Sequence, residues 1–356
     1  MPAFREFVMK VHQRCNLACD YCYVYELADQ SWRDRPAAMS PAVWQAAARR
    51  IAEHDPQHAD VVLHGGEPLL AGRDALVKII GDLRATLPSV SFRLQTNGAL
   101  LTPQMLTTLA DHDVRIGVSL DGPAAQHDRR RRHRDGRGSH VLVDRALRLL
   151  ADHPAYGGIL CTVDVSADPV DVYEALLEYR PPTIDLLLPH ANWEHPPGPG
   201  YADWMITVFD RWYSAPTRET GIRLFEEIIN LVLGGTSRSD QVGLSPAPVV
   251  VIESDGTIEQ VDSLKSAYQG AAATGLNVFD NALDEALRHP GIVARQAGLK
   301  ALAPSCLACP VHDICGAGHY AHRYRAGAGF KNPSAYCADL RRLIDHVATR
   351  IAADVK

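Results

Sequence analysis

Nowhere in the 356 residues does an apolar run approach the ~20 residues needed to cross a bilayer. The first residues also lack the charged-then-apolar pattern of a secretion signal. No segment repeats, and no tract is of low complexity. An excess of positive charge is missing as well: 36 Lys and Arg stand against 42 Asp and Glu, a net charge of −6. That balance gives no general affinity for nucleic acid. The expectation is a cytoplasmic globular protein with neither a nucleic-acid nor a membrane partner. Disulfides are rare in a reducing compartment, so the eight cysteines read as metal ligands or buried thiols. The length suits a large domain with a smaller one appended.

The stretch that is present and organises the rest is Cys15-Asn16-Leu17-Ala18-Cys19-Asp20-Tyr21-Cys22, a C-x3-C-x2-C triplet directly after a predicted strand over 6–12. Three thiolates this close can hold one iron–sulfur cluster while supplying three of the usual four ligands, which leaves one iron open to a group that is not protein. The competing readings are a zinc site short of a ligand, although structural zinc is usually closed at four, or disulfides.

Beyond residue 40 the pattern alternates. Ser40-Pro41 and Thr102-Pro103 read as N-cap and first-turn pairs that open helices. Strands are expected near 60–64, 90–96, 114–119, 157–163 and 183–189. Helices are expected near 41–51, 73–86, 103–111, 139–152, 169–179 and 201–213. Six strands alternating with helices imply parallel βαβ units, which fit a partial (β/α)6 barrel or a doubly wound sheet equally well. From about 235 the rhythm breaks. Val249–Glu253 and Thr257–Val261 flank an Asp255-Gly256 turn and read as a hairpin. Short helices near 280–288 and 291–299 follow, and a helix near 337–352 closes the chain. The expected division is therefore 1–235 and 236–356.

Chemistry-bearing residues gather at the predicted strand ends. His64-Gly65-Gly66-Glu67-Pro68 ends the second strand, where glycines allow close backbone approach and Glu67 can accept from an ammonium. His64 points towards a ligand or is simply packed. Gln95-Thr96-Asn97-Gly98 and Ser119-Leu120-Asp121-Gly122 end the third and fourth strands; Asn97, Ser119 and Asp121 are ligand contacts or caps of their own turns. Arg129, Arg130, Arg131 and Arg132 form a charge run that is either solvated or a landing site for carboxylates. A second cysteine group, Cys306-x2-Cys309-x5-Cys315 with Cys337, supplies four thiolates for a cluster or zinc. Cys161 is left over and reads as a buried strand thiol. Asp262, just after the hairpin, reads as an exposed surface carboxylate or as a general base.

The triplet, with the aromatic Tyr21 before its last cysteine, resembles the radical S-adenosylmethionine (SAM) superfamily. The resemblance implies a [4Fe–4S] cluster on Cys15, Cys19 and Cys22 whose open iron binds SAM, and it decides the fold for the barrel: α/β, a partial (β/α)6 TIM-like barrel with a C-terminal Fe–S domain. Gly65-Gly66-Glu67 then looks like the motif that holds the SAM amino group. The stretches ending in Asn97, Ser119 and Asp121 are similar to signatures of peptide-modifying members, with Ser119 and Asp121 towards the SAM carboxylate or ribose. The Cys306 group resembles the SPASM domain, which carries auxiliary clusters. The family's next cysteine falls at His319 and an earlier one at Val261, so the resemblance implies one auxiliary [4Fe–4S] cluster on Cys306, Cys309, Cys315 and Cys337.

Further stretches, among them Lys10-Val11-His12, Cys19 to Glu26, Ala28 to Trp32, Leu160 to Val165 and Ala321 to Arg325, resemble the FxsB family of peptide maturases. That likeness implies a ribosomal precursor peptide as substrate, for which His64 and Arg129 to Arg132 are the candidate contacts read from the residues themselves. It also implies a cyclophane cross-link between an aromatic ring and a nearby β-carbon, Asp262 as base, and an external flavodoxin- or ferredoxin-type electron donor. The rival expectations are thioether or formylglycine formation, or a non-catalytic Fe–S or zinc binding module.

Overall fold

The structure, a computed structural model, describes residues 2–54 and 58–354. Its strands are β1 (Glu6–His12), β2 (Ala59–Gly65), β3 (Val90–Thr96), β4 (Val114–Ser119), β5 (Tyr156–Thr162), β6 (Thr183–Leu187), β7 (Gly221–Ile222), β8 (Val249–Ile252), β9 (Thr257–Glu259) and β10 (Ala273–Asn277). By compactness the chain divides into two units. One holds Met1–Leu120, Ala124–Ile159 and Pro248–Val293, the other Asp121–Pro123, Leu160–Ala247 and Ala294–Lys356.

In the first unit β1 lies between β2 and β8, parallel to both, and β2–β3 and β3–β4 continue the parallel ladder. The face towards the helices is apolar: Phe7, Met9 and Val11 of β1, Val61 and Leu63 of β2, Phe92 and Leu94 of β3, and Ile116 and Val118 of β4 are all buried. Period-two alternation sends the intervening residues to the opposite face. There Lys10 stands opposite His64 in the β1–β2 register. The expected hairpin forms as β8 and β9, paired antiparallel with Ile252 opposite Ile258, and Gly256 turns it at φ 86°. Because β8 also pairs with β1, the hairpin packs with the first strands, whereas the sequence division at 235 had set it with the C-terminal region.

In the second unit β6 and β7 pair in parallel. Helix Tyr201–Tyr213 and the terminal helix Cys337–Asp354 pack here, the latter burying Leu340, Leu343, Ile344 and Val347. Thr102 caps its helix through Oγ1, which accepts from the Met105 N–H at 3.2 Å. Ser40 sits at the N-cap position without a side-chain cap bond, so Pro41 alone presets that helix start. Helices Ala124–Arg130 and Arg223–Val232 and strands β7 and β10 are additions to the sequence expectation. The first helix has no apolar stripe to betray it, and β7 is only two residues long. Among the described residues no helix is long and apolar enough to cross a membrane.

Candidate functional site

β1 delivers the chain into the cysteine loop, and three neighbours hold that loop in position. Arg14 donates to the carbonyls of Trp32 and Arg35 at 3.0 and 3.1 Å, with its guanidinium 5.2 Å from the Trp32 ring. The Ala18 N–H donates to the Arg132 carbonyl at 2.7 Å and the Asp20 N–H to the Arg130 carbonyl at 3.3 Å. Arg130 also pairs with Asp20 at 2.9 Å, and Arg131 stacks over the Tyr21 ring at 5.5 Å. The arginine run is thus neither wholly solvated nor wholly free for substrate: its backbone straps the cysteine loop, and Arg132 donates to the Asp128 and Arg129 carbonyls. Sequence pattern cannot reveal backbone strapping, because the carbonyls involved are common to every residue type.

The Gly-Gly pair is dictated by the chain's own packing. A Cβ on Gly65 would stand 2.1 Å from the His12 carbonyl oxygen, and one on Gly66 would stand 1.7 Å from the Tyr25 hydroxyl. The close approach expected for a ligand is here an approach of the loop after β1. Glu67 is fully buried and accepts from the Leu69 N–H at 2.9 Å, the Thr96 hydroxyl at 2.8 Å and the Asn97 N–H at 2.8 Å. Its carboxylate therefore ties the end of β2 to the end of β3. Asn97 passes the connection on, donating from Nδ2 to Asn16 at 2.9 Å and to the Cys15 sulfur at 3.6 Å. Ser119 accepts from Gln95 Nε2 at 3.1 Å. Asp121, in the second unit, accepts from the Thr162 N–H at 3.0 Å.

Burial pushes the Glu67 carboxyl up to about 7, against those three hydrogen bonds. A raised folded-state pKa contributes stability that is complete below the ordinary carboxylate range and is lost as pH rises through 7. In the cluster-free protein this amounts to about 3 kcal/mol between pH ~4 and ~8. Glu67→Gln, which does not titrate, should flatten that part of the stability–pH curve in urea unfolding. A wild-type slope in the variant would exclude Glu67 as its source.

Burial pushes Cys15 up to about 12, opposed by the Leu17 N–H, and raises Cys22. Ligation must therefore displace protons, which is how thiolate sites load. In the second unit burial likewise pushes Cys315 up to about 11 and raises Cys306 and Cys337, and the thiols of 306, 309, 315 and 337 sense one another's charge. Arg341 donates to the Cys309 sulfur at 3.6 Å. Gly316, at φ 57°, admits the Gly243 carbonyl, which a Cβ would meet at 1.7 Å. Cys161 is the buried strand thiol expected.

Asp262 is not an exposed residue after a hairpin. Its side chain is 10% exposed, with Lys10 Nζ 2.5 Å from Oδ2 and Lys265 Nζ 3.2 Å from Oδ1. Burial raises its pKa, but Lys10 and Lys265 overcome that and hold the carboxyl well below the usual range. Lys265 also pairs with Glu253 and, at 3.0 Å, with Glu259; Arg35 meets Glu253 at 2.8 Å and Glu259 at 2.5 Å. Three cations face these three buried carboxylates, and the half-buried Asp255 stands as a fourth 3.6 Å from Arg35. Burial, with the Lys10 ammonium 3.3 Å away, pushes His64 down to about 4 and keeps it neutral. Sequence reasoning missed Lys10, Arg35, Glu253, Glu259 and Lys265. The available signal was Lys10 itself, a lysine in an apolar strand, which when fully buried needs a partner.

With this geometry in view, the Radical SAM superfamily profile matches residues 9–182. Residues 9–182 are a radical SAM domain. A radical SAM domain works with a [4Fe–4S] cluster and SAM, and the chain is an enzyme of α/β class with a parallel sheet. It is 25% identical over 278 residues to a cysteine-type anaerobic sulfatase-maturating enzyme of Clostridium perfringens, covering 74% of this chain and 75% of that one. Among solved structures it is similar to native anSMEcpe with bound AdoMet, with a TM-score of 0.84 at 21% identity over 99% of this chain and 100% of that one. It is also similar to Streptococcus suis SuiB bound to precursor peptide SuiA, with a TM-score of 0.64 at 14% identity over 94% of this chain and 76% of the other.

Proposed function

We propose that this radical SAM enzyme modifies a ribosomally made precursor peptide, joining an aromatic ring carbon to the β-carbon of a neighbouring residue. The observation that carries the reading is a three-thiol loop together with a buried Asp262 whose carboxylate is paired with Lys10 and Lys265. The likeness to sulfatase-maturating enzymes supports peptide or protein modification, and the FxsB-like stretches favour the cross-link. By role, we divide the chain into residues 1–235 for SAM chemistry and 236–356 for the auxiliary cluster.

When bound, the cluster and SAM supply a carbon radical that removes a hydrogen atom from the substrate. Cys15, Cys19 and Cys22 would hold the cluster, Asn97 donates towards the Cys15 sulfur, and Gly65 to Glu67, Ser119, Asp121 and Tyr21 are the residues that would contact SAM. Joining two C–H carbons releases one hydrogen atom, one electron and one proton. The proton goes to Asp262. A protonated or radical-cation ring is so strong an acid that availability of the carboxylate, not high basicity, decides the transfer. Lys10 and Lys265 keep Asp262 ionised through the working pH range. Cys306, Cys309, Cys315 and Cys337 would hold an auxiliary cluster that would supply a one-electron acceptor for that electron, and a flavodoxin- or ferredoxin-type protein would be the external electron donor.

Tandem mass spectrometry of a precursor peptide incubated with the reduced enzyme tests the reading. A product lacking two hydrogens, silent to fragmentation between the joined residues and inert to hydrazide, supports the cross-link. Formylglycine, the second reading favoured by the sulfatase-maturase likeness, would react with hydrazide and fragment normally. Val261 and His319, where further thiolates would be needed for a second auxiliary cluster, weigh against it.

Glutamine at Arg129, Arg130, Arg131 and Arg132 keeps the backbone strap while removing charge. Precursor Kd should rise and lose salt dependence, since exposed charges are screened beyond about 10 Å at 0.1 M salt. SAM cleavage without peptide should change little. Binding measured by fluorescence anisotropy at two salt concentrations checks this, and unaltered affinity would leave the run with its strapping role alone.

A further inference from the structure

In the second unit, β6 leads to His190, and a tight turn holds His319 and His322. The His322 N–H donates to the His319 carbonyl at 3.1 Å, closing a three-residue turn that brings the two rings to the same side. Their ring centroids are 4.9 Å apart, and each lies within 6 Å of the His190 ring, at 5.6 and 5.9 Å. One nitrogen from each of the three rings lies within 4.8 Å of the others. Tyr336, fully buried, flanks the group with its ring 4.9 Å from His322, and its hydroxyl donates to the Pro189 carbonyl at 2.8 Å.

His322 is buried without the partners that a buried imidazole requires. His322 is 4% exposed, yet neither of its ring nitrogens has a hydrogen-bond partner. Nδ1 of His319 is also buried and unpartnered, while its Nε2 stands 3.3 Å from Asp240 Oδ2. A buried polar atom left without a partner is costly, and three such atoms belong to the His319 and His322 rings. Burial and the two neighbouring imidazoles hold His322 well below its ordinary pKa, so its lone pair is available at neutral pH. Arg323, the nearby cation, donates to the Gly316 and Gly318 carbonyls and does not cap the rings.

We propose that His190, His319 and His322 form a mononuclear metal site that takes Zn2+. Three neutral imidazoles with a fourth position left to water are an established zinc donor set, with Zn–N near ~2.0–2.1 Å. Nitrogens at or under 4.8 Å need to close by little more than 1 Å to reach tetrahedral spacing. Asp240, by accepting from Nε2 of His319, leaves Nδ1 as the donor and orients the ring, as carboxylates do behind zinc-bound histidines. The Asp240 side chain is 46% exposed, so solvent reaches the edge of the site. In the first unit Glu253, Glu259 and Asp262 also bring three donors within reach of one another, but Lys10, Lys265 and Arg35 are already paired with them.

The test uses the full chain, anaerobically reconstituted, washed with chelator and titrated with Zn2+ by calorimetry. One Zn2+ per chain should bind, with X-ray absorption giving three imidazole nitrogens near ~2.0–2.1 Å and no sulfur. His319→Ala and His322→Ala should weaken binding more than the ~10–100-fold expected for the supporting change Asp240→Asn, and iron and sulfide content should stay at wild-type levels. Absence of stoichiometric zinc, sulfur neighbours around it, or unchanged affinity in His322→Ala would overturn the proposal. Loss of iron in His319→Ala would make that residue a cluster ligand and overturn it too. The absorption spectrum of the wild-type protein decides the matter even if a histidine variant fails to fold.

Discussion

Replacing Cys15, Cys19 and Cys22 together with alanine should abolish SAM cleavage and lower iron from about eight to about four atoms per reconstituted chain. The loss should be all or none for cleavage, because no other group in the first unit offers three thiols. The remaining iron should sit on Cys306, Cys309, Cys315 and Cys337, and alanine at Cys306 or Cys337 should remove it while leaving the first cluster's spectrum intact. Thiols with pKa values pushed up to about 12 and 11 release protons on loading, so reconstitution of either group should slow as pH falls. Iron and sulfide analysis with deoxyadenosine quantified by chromatography checks each part. A triple variant still cleaving SAM, or a wild-type chain holding zinc on its cysteines with little iron, would end the cluster assignment.

Asp262→Asn is expected to separate the two halves of the reaction. Hydrogen abstraction precedes proton loss, so the variant should still form deoxyadenosine when peptide is present, and deuterium from a β-labelled peptide should still appear in it. Cross-linked product should fall by roughly 10²–10⁴-fold, the scale of a general acid–base contribution. The ion pairs add a structural consequence, since the substitution leaves Lys10 and Lys265 facing one carboxylate fewer. Breaking a buried pair costs about 3–5 kcal/mol, and the variant should melt earlier while keeping its iron. Lys10→Met supplies the converse: without its nearest cation Asp262 should rise towards ordinary carboxylate values, and an acid limb should enter the pH profile of product formation. Wild-type cross-linking in Asp262→Asn would reduce Asp262 to a member of the buried ion cluster. Loss of deoxyadenosine and product together would point to substrate positioning.

Much of this fold could be read from patterns local to the chain. β1 to β6 and most long helices announced themselves by alternation, by helical spacing of apolar residues, and by Ser40-Pro41 or Thr102-Pro103 starts. The hairpin around Asp255-Gly256 was legible for the same reason. Its parallel pairing with β1 was not, because strand pairing across 240 residues leaves no mark on either strand. The site divides along the same line. Cysteine spacing is local and was readable; the partners of Asp262, the strap from Arg130 and Arg132, and the convergence of His190 with His319 and His322 are products of distant pairing. Helix Arg223–Val232 is a different case, since Leu224, Phe225 and Ile228 carried a readable stripe.

The position of β1 between β2 and β8 also bears on how the polypeptide acquires its shape at the ribosome. Val8 pairs with Val62 on one side and with Val251 on the other, so one edge of the first strand has its partner within about 55 residues and the other waits for about 240. At ~5–20 residues per second of synthesis, that second edge is open for roughly 10–50 s, and Lys10 meanwhile has neither Asp262 nor a finished interior around it. Nascent chains halted before the hairpin should therefore bind holdase chaperones and be protease-sensitive at β1, and protection should arrive in one step once residues up to about 265 have left the exit tunnel.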